Sequence, residues 1–243
     1  MLLPVPHSTS NEVQYAKDLE GMVQAMQEEV ARVEPALLNV VLPSVGLAAI
    51  TETLVTLGRM LLAKIRPSIA TDMVRRENLH NERLMNQVMG IGFGNFSLRT
   101  LVMNEGIDRE LAARVAENVS LIKSIPEMYH TKLNTVVYEA VSGGVTRDKL
   151  AEEIQKIGSV TLSRARIIAR DQVAKANGAL TQIRQQNLGV TEYVWQTSQD
   201  ERVRPTHRVK HGKTFRWDSP PPDTGHPGHD YMCRCVANAI IPR

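Results

Sequence analysis

Between residues 161 and 188, Leu162, Ala165, Ala169, Val173, Ala176, Leu180 and Ile183 recur every three or four positions. A stripe with that period is satisfied by an α-helix that buries one face. It is the longest helix the pattern predicts, and Gly189 stops it. Arg166, Arg170, Asn177 and Arg184 lie on a second line beside the stripe. There they can reach a neighbouring domain or an anion, or form a solvated flank of snorkelling arginines. Aromatic residues make up 4% of the 243 and methionine occurs ten times. That mixture favours helices packed through Ala, Leu, Val and Met over a large β-sandwich.

Upstream, residues 11–34 read as an amphipathic helix that Ser10 or Asn11 could cap and Pro35 ends. A second helical region follows, bent near Pro43, and a third runs from Pro67 to about Met89. Its apolar stretch, 36–65, is broken by Pro43, Glu52, Arg59 and Lys64. It therefore reads as a buried or partner-binding helix, too interrupted for a membrane span. Gly90, Gly92 and Gly94 make 90–96 the best hinge candidate. Helices are expected near 97–104, 107–124 (capped by Asp108), 126–142 (opened by Pro126) and 146–157. After Gly189 the pattern changes. Strands are expected at 191–197, around KTFRW and in CRCVANAII, with a turn or short helix at ERVRPTHRV. The predicted fold class is α+β: a helical arm over 1–124, then a small mixed domain over 125–243.

Charge divides unevenly. Residues 1–159 carry 16 basic and 19 acidic side chains, whereas 160–243 carry 13 and 7. The basic third is where a polyanion would be felt, and its modest excess suits loose proximity to DNA better than tight recognition. Arg166, Arg170, Arg184, Arg202 and Arg204 are the candidate contacts to DNA or a partner.

The same region concentrates ligand chemistry. Both cysteines, Cys233 and Cys235, fall there beside four of the seven histidines, His207, His211, His226 and His229. Thiolate and imidazole are the donors zinc prefers, and Cys-x-Cys on a strand turns both sulfurs to one face. More donors are present than zinc needs. His207, His226, Cys233 and Cys235 are the expected set; the alternative is two buried thiols and a polar histidine cluster that holds a loop. Asp200 reads as a turn cap or a partner for a guanidinium, and Trp195 and Trp217 as anchors of a small core. The N-terminal residues lack a basic start and a sustained apolar run, so no secretory pattern is seen and synthesis in a reducing cytoplasm is expected.

Taken in order, EAVSGGVTRDKLAEEI, SRARIIARDQVAKANGAL, YVWQTSQDERVRPTHRVKHGKTF and HPGHDYMCRC resemble the phage head morphogenesis family, the Mu F-like minor head proteins of tailed bacteriophages. The resemblance runs from about Ile125 to the end. It places Arg170 and Asn177 on the family's long helix. Trp195, Asp200, Arg202, Arg204 and His207 fall on its strand and turn, and Gly212, Pro227, Cys233 and Cys235 in its closing part. Where the family commonly has Thr-Glu, this chain has Asp171 and Gln172, which removes that glutamate but supplies another carboxylate nearby. The resemblance implies a non-enzymatic virion protein, present in several copies inside the head near the portal. Its partners would be the portal protein, the inner capsid shell and packaged double-stranded DNA, bound without sequence preference. Its roles would be capsid assembly and DNA packaging or ejection. Two other classes compete. A metal-dependent DNA-acting hydrolase would use the histidines with Asp200 or Asp230 as base, but no H-E-x-x-H, P-loop or nucleophile elbow is present. A host regulator would need a groove-reading motif, and none is evident.

Overall fold

The computed structural model describes residues 4–39, 46–93, 105–143 and 145–241. Their elements are α1 (Thr9–Leu38), α2 (Leu47–Leu62), α3 (Ser68–Phe93), α4 (Glu105–Gly143), α5 (Arg147–Asn187), β1 (Glu192–Gln196), α6 (Pro205–Arg208), β2 (Thr214–Arg216) and β3 (Val236–Ile240). The α+β class holds: long helices, then a small antiparallel sheet in the order β2-β1-β3. No described helix is long and apolar enough to cross a membrane.

The helices are longer and fewer than the prolines and glycines suggest. Pro35 lies inside α1 and Pro126 inside α4, where breaks were expected. An interior proline costs about 3 kcal/mol. Against this, Ile122, Ile125, Tyr129, Leu133 and Val137 continue one buried face across Pro126. Each such side chain contributes roughly 1.5–3 kcal/mol on burial, so packing outweighs the break. The helices expected at 146–157 and 161–188 likewise merge into α5. Gly158 lies at the junction, where a Cβ would be 2.6 Å from Gln27 Nε2, the end of a side chain that can move aside. Ser8 caps α1 in place of Ser10 or Asn11, with its Oγ accepting from the Asn11 N–H at 3.2 Å. Asp108 sits within α4 instead of capping a helix. The expected hinge at 90–96 is helical through Phe93; the rest of it, the helix at 97–104 and the bend near Pro43 lie outside the described residues. Gly189 does stop α5. Its φ is +75°, and the Val190 N–H bonds back to the Gln185 carbonyl at 2.9 Å, a Schellman-type ending.

The chain gathers into two compact units. One, formed by 14–70 and 118–169, is helical. Tyr15, Leu19, Met22, Met26 and Val30 of α1 are buried, as are Ile50, Leu54, Leu57 and Leu61 of α2. The Tyr15 hydroxyl donates to Asn118 Oδ1 at 2.9 Å.

The other unit, formed by 1–13, 71–117 and 170–243, contains the sheet. The second half of α5 is its spine. Gln185 donates to the Ala237 carbonyl of β3 at 3.0 Å and accepts from the Trp217 indole at 3.1 Å. Asn177 donates to the Val5 carbonyl at 2.8 Å and accepts from Asn81 Nδ2 at 2.7 Å. Val5, Met85, Val88, Val190 and Ala239 close an apolar cluster. A carboxylate is buried in the same unit. Glu77 is fully enclosed and accepts from the Ser8 N–H at 3.1 Å and from Asn11 Nδ2 at 2.9 Å. Burial raises its pKa to about 7 although both donors pull it down.

Because the folded state holds the Glu77 proton that the unfolded chain releases near pH 4.5, its stabilising effect is complete below that pH. It is lost as pH rises to about 7. Relative to Glu77→Gln, the wild-type chain is expected to lose roughly 3 kcal/mol of stability across this window. Paired urea melts at pH 4.5 and 7.5 measure the change, and a pH-independent difference would contradict the burial effect.

Candidate functional site

The site is built on the face of β1 that carries Tyr193 and Trp195. These two, with Trp217, Cys233, Cys235 and Ala237, form a small core, so both tryptophans anchor it as the sequence suggests. The sheet fixes the register. Trp195 pairs with Ala237 and Gln196 with Val236, which brings Cys235, just before β3, beside the end of β1. Asp200 turns the chain after β1. Its Oδ1 accepts from the Arg202 N–H at 3.1 Å and from Arg234 Nη2 at 2.6 Å, and its Oδ2 pairs with Arg234 Nη1. The Arg234 hydrogen bonds hold this carboxyl below the usual range. Asp200 is thus both cap and ion-pair partner.

Pro205 then opens α6 and puts His207 on its buried side. His207, Cys233 and Cys235 converge, with one donor atom of each within 4.8 Å of the other two. His207 Nδ1 lies 3.4 Å from Cys235 Sγ and 3.6 Å from Cys233 Sγ. On the other side of the ring, Nε2 is 3.0 Å from Asp230 Oδ2. A proton on Nε2 satisfies that carboxylate and leaves the Nδ1 lone pair facing both sulfurs. Arg204 orients the carboxylate, pairing with Asp230 and donating to the Tyr231 carbonyl. The Gly228 N–H points at Cys233 Sγ at 3.4 Å. A hydrogen bond from the Cys235 thiol and the backbone N–H donors lower the Cys233 pKa to about 6. The same shared proton, with burial, pushes the Cys235 thiol up. A cavity of about 30 Å³ opens beside the three donors, lined also by Ser198, Arg202, Arg204 and Arg234.

The loop that delivers the cysteines is fastened to α5 at two points. Asp171 Oδ1 accepts from the Met232 N–H at 2.6 Å while its Oδ2 pairs with Lys175 at 2.8 Å. Met232 has φ +55°, and this bond fixes the unusual backbone just before Cys233. The carboxylate noticed as a departure from the family pattern therefore holds the closing loop. The second point is a backbone contact. A Cβ on Gly178 would meet the Pro227 carbonyl oxygen at 2.8 Å, and one on Gly228, where φ is +88°, would meet Gly178 Cα at 3.1 Å. Sequence reading missed this role of Gly178 and the pairing of Asp230 with His207. The crowding of HPGHDYMCRC was the available signal for the second.

The structure brings His207, Cys233 and Cys235 together but places His226 elsewhere. The His226 Nδ1 bonds the Tyr193 hydroxyl at 2.9 Å, and its ring packs on Trp217 and His229. Burial lowers its pKa to about 4. His211 bonds Thr197. The expected arginine contacts also separate. Arg166 is exposed and pairs with Glu20, Arg170 is half-buried, and Arg202 is exposed. Arg204 is engaged by Asp230. Arg184 corrects the expectation of a surface contact: it is 2% exposed and donates to Asn81 and Asn78. Burial brings its pKa down to about 10.

Residues 131–238 match the family described as Phage Mu protein F like protein. An uncharacterized protein of Haemophilus influenzae is 44% identical over 135 residues, which cover 56% of this chain and 30% of that protein. The match thus spans under a third of that relative's length. No solved structure matches the chain at a significant level.

Gly178→Ala is expected to lower stability by about 1–3 kcal/mol, because the Cβ must displace backbone on the closing loop. Gly228→Ala should cost more, adding strain at positive φ. Gly21→Ala, on an open face of α1, should stabilise by roughly 0.5–1 kcal/mol. Urea denaturation of the three variants reads these values, and equal effects at 178 and 21 would refute the contact.

Proposed function

Because residues 131–238 match the family described as Phage Mu protein F like protein, we propose that this chain is a structural head-morphogenesis protein of a tailed bacteriophage. It resides inside the head near the portal in several copies per virion, with the portal protein and the inner capsid shell as partners. The family match carries this reading, since it includes all of α5 and every member of the His207, Cys233 and Cys235 cluster. The surface supports it. Leu47, Val55, Leu62, Tyr138 and Val141 are large apolar side chains left exposed on helices, a surface suited to helical protein partners.

Packaged DNA is a secondary, sequence-independent partner. Internal ion pairs engage part of the last third's basic side chains, as Lys175, Arg204, Lys210, Arg216 and Arg234 each pair with an aspartate. Arg202, Arg208 and Lys213 stay exposed and are the side chains offered to phosphates. The competing hydrolase reading lacks a sequence signature, since no H-E-x-x-H, P-loop or nucleophile elbow is present.

Two measurements test these readings. In the phage that encodes the chain, mass spectrometry should recover it from DNA-filled heads together with the portal protein. A nonsense mutation in its gene should reduce the yield of filled heads. Recovery from the soluble lysate alone, with normal heads in the mutant, would overturn the assignment. DNA binding by the full chain should be weak, with log K falling against log salt concentration at a slope no steeper than about −3. A much steeper slope would mean that the paired arginines also reach phosphate.

A further inference from the structure

We propose that His207 Nδ1, Cys233 Sγ and Cys235 Sγ bind one zinc ion, with the fourth position held by a water molecule in the adjoining cavity. The ion fastens the closing loop to α6. Bonds of about 2.0–2.1 Å to nitrogen and 2.3 Å to sulfur, opened to a tetrahedral angle, put N and S about 3.6 Å apart. The observed separations are 3.4 and 3.6 Å. All three side chains are buried, so their donor atoms face one another in place of solvent.

The surroundings are those a zinc-bound imidazole needs. Asp230 Oδ2, 3.0 Å from Nε2, fixes the tautomer that leaves Nδ1 free to ligate, and Arg204 holds that carboxylate in turn. A carboxylate behind a ligating histidine raises its basicity and sets its orientation. The Gly228 N–H, aimed at Cys233 Sγ, stabilises a thiolate. The cavity of about 30 Å³ has room for one water, which completes four-coordination. Two sulfurs and one imidazole are a donor set that favours zinc over calcium, magnesium or manganese. His226 is excluded by its bond to Tyr193. Asp230 is excluded because it occupies the far side of the His207 ring, which makes it a positioning residue.

A hydrogen-bonded pair of thiols on a neutral histidine would give similar N···S distances, so the experiment must separate the two. The full chain, purified in reductant without chelator or histidine tag, is expected to carry one equivalent of zinc by elemental analysis. Chelation should release it, expose two thiols to a disulfide reagent and lower the melting temperature, and added zinc should reverse all three. Cobalt(II) added to the apo chain should give thiolate-to-cobalt charge-transfer absorption and the visible bands of a tetrahedral site. Cys233→Ser, Cys235→Ser and His207→Ala should lose the metal. His226→Ala should keep it, and Asp230→Ala should keep it with affinity reduced about 10–100-fold. Should a ligand variant fail to fold, the wild-type cobalt spectrum still decides. A chain whose melting temperature ignores zinc and whose spectrum ignores cobalt would overturn the proposal. Loss of metal in His226→Ala would overturn the ligand set.

Discussion

The Asn177 carboxamide holds together pieces of chain that have little else in common. Its nitrogen donates to the Val5 carbonyl, its oxygen accepts from Asn81, and Asn81 bonds Thr181 and Arg184 in the same layer. Buried amides left unsatisfied would each cost about 1–3 kcal/mol. The N-terminal segment, α3 and the end of α5 therefore have one arrangement that completes the set. About two turns of α5 to either side of Asn177, Gln185 and Asp171 do for the sheet and the closing loop what Asn177 does for the N-terminal segment. The site inherits its precision from this spine: His207, Cys233 and Cys235 lie on short elements that could not hold one another in place unaided.

The polar interior of this unit differs in kind from the apolar interior of the helical one. Among the buried residues of 14–70 and 118–169, Leu, Ile, Val, Met and Tyr predominate, and non-directional packing tolerates repacking. Around α5 the directional groups, Glu77, Asn81, Asn177 and Arg184, specify a single geometry at a cost in desolvation. The enclosed guanidinium of Arg184 rests its two terminal nitrogens on the amide oxygens of Asn81 and Asn78.

What the sequence made legible follows from that difference. The period-three-to-four stripe of α5, the stop at Gly189, the three strands and the aromatic core around Trp195 are local or patterned, and each was readable from the residues. The continuity of α4 through Pro126 and of α5 through Gly158 was not, because burial on a neighbouring helix overrides a local breaker. Nor was the fate of Arg184, which sits at the same offset from the apolar stripe as exposed Arg166 and is distinguished only by Asn78 and Asn81, over a hundred residues away. In the closing region residue types showed the chemistry. They did not show that Asp230 would back His207, or that Tyr193 would claim His226.

The bond from Asn177 to Val5 spans 172 positions of chain. At ~5–20 residues per second of synthesis, the acceptor leaves the ribosome roughly 10–30 seconds before its donor exists. During that interval Val5 lacks Asn177, Val190 and Ala239, which later enclose it. Folding of the sheet-bearing unit is accordingly a late, non-local event of high contact order, slow relative to local helix formation. A chaperone has its longest opportunity on the segment that carries Val5.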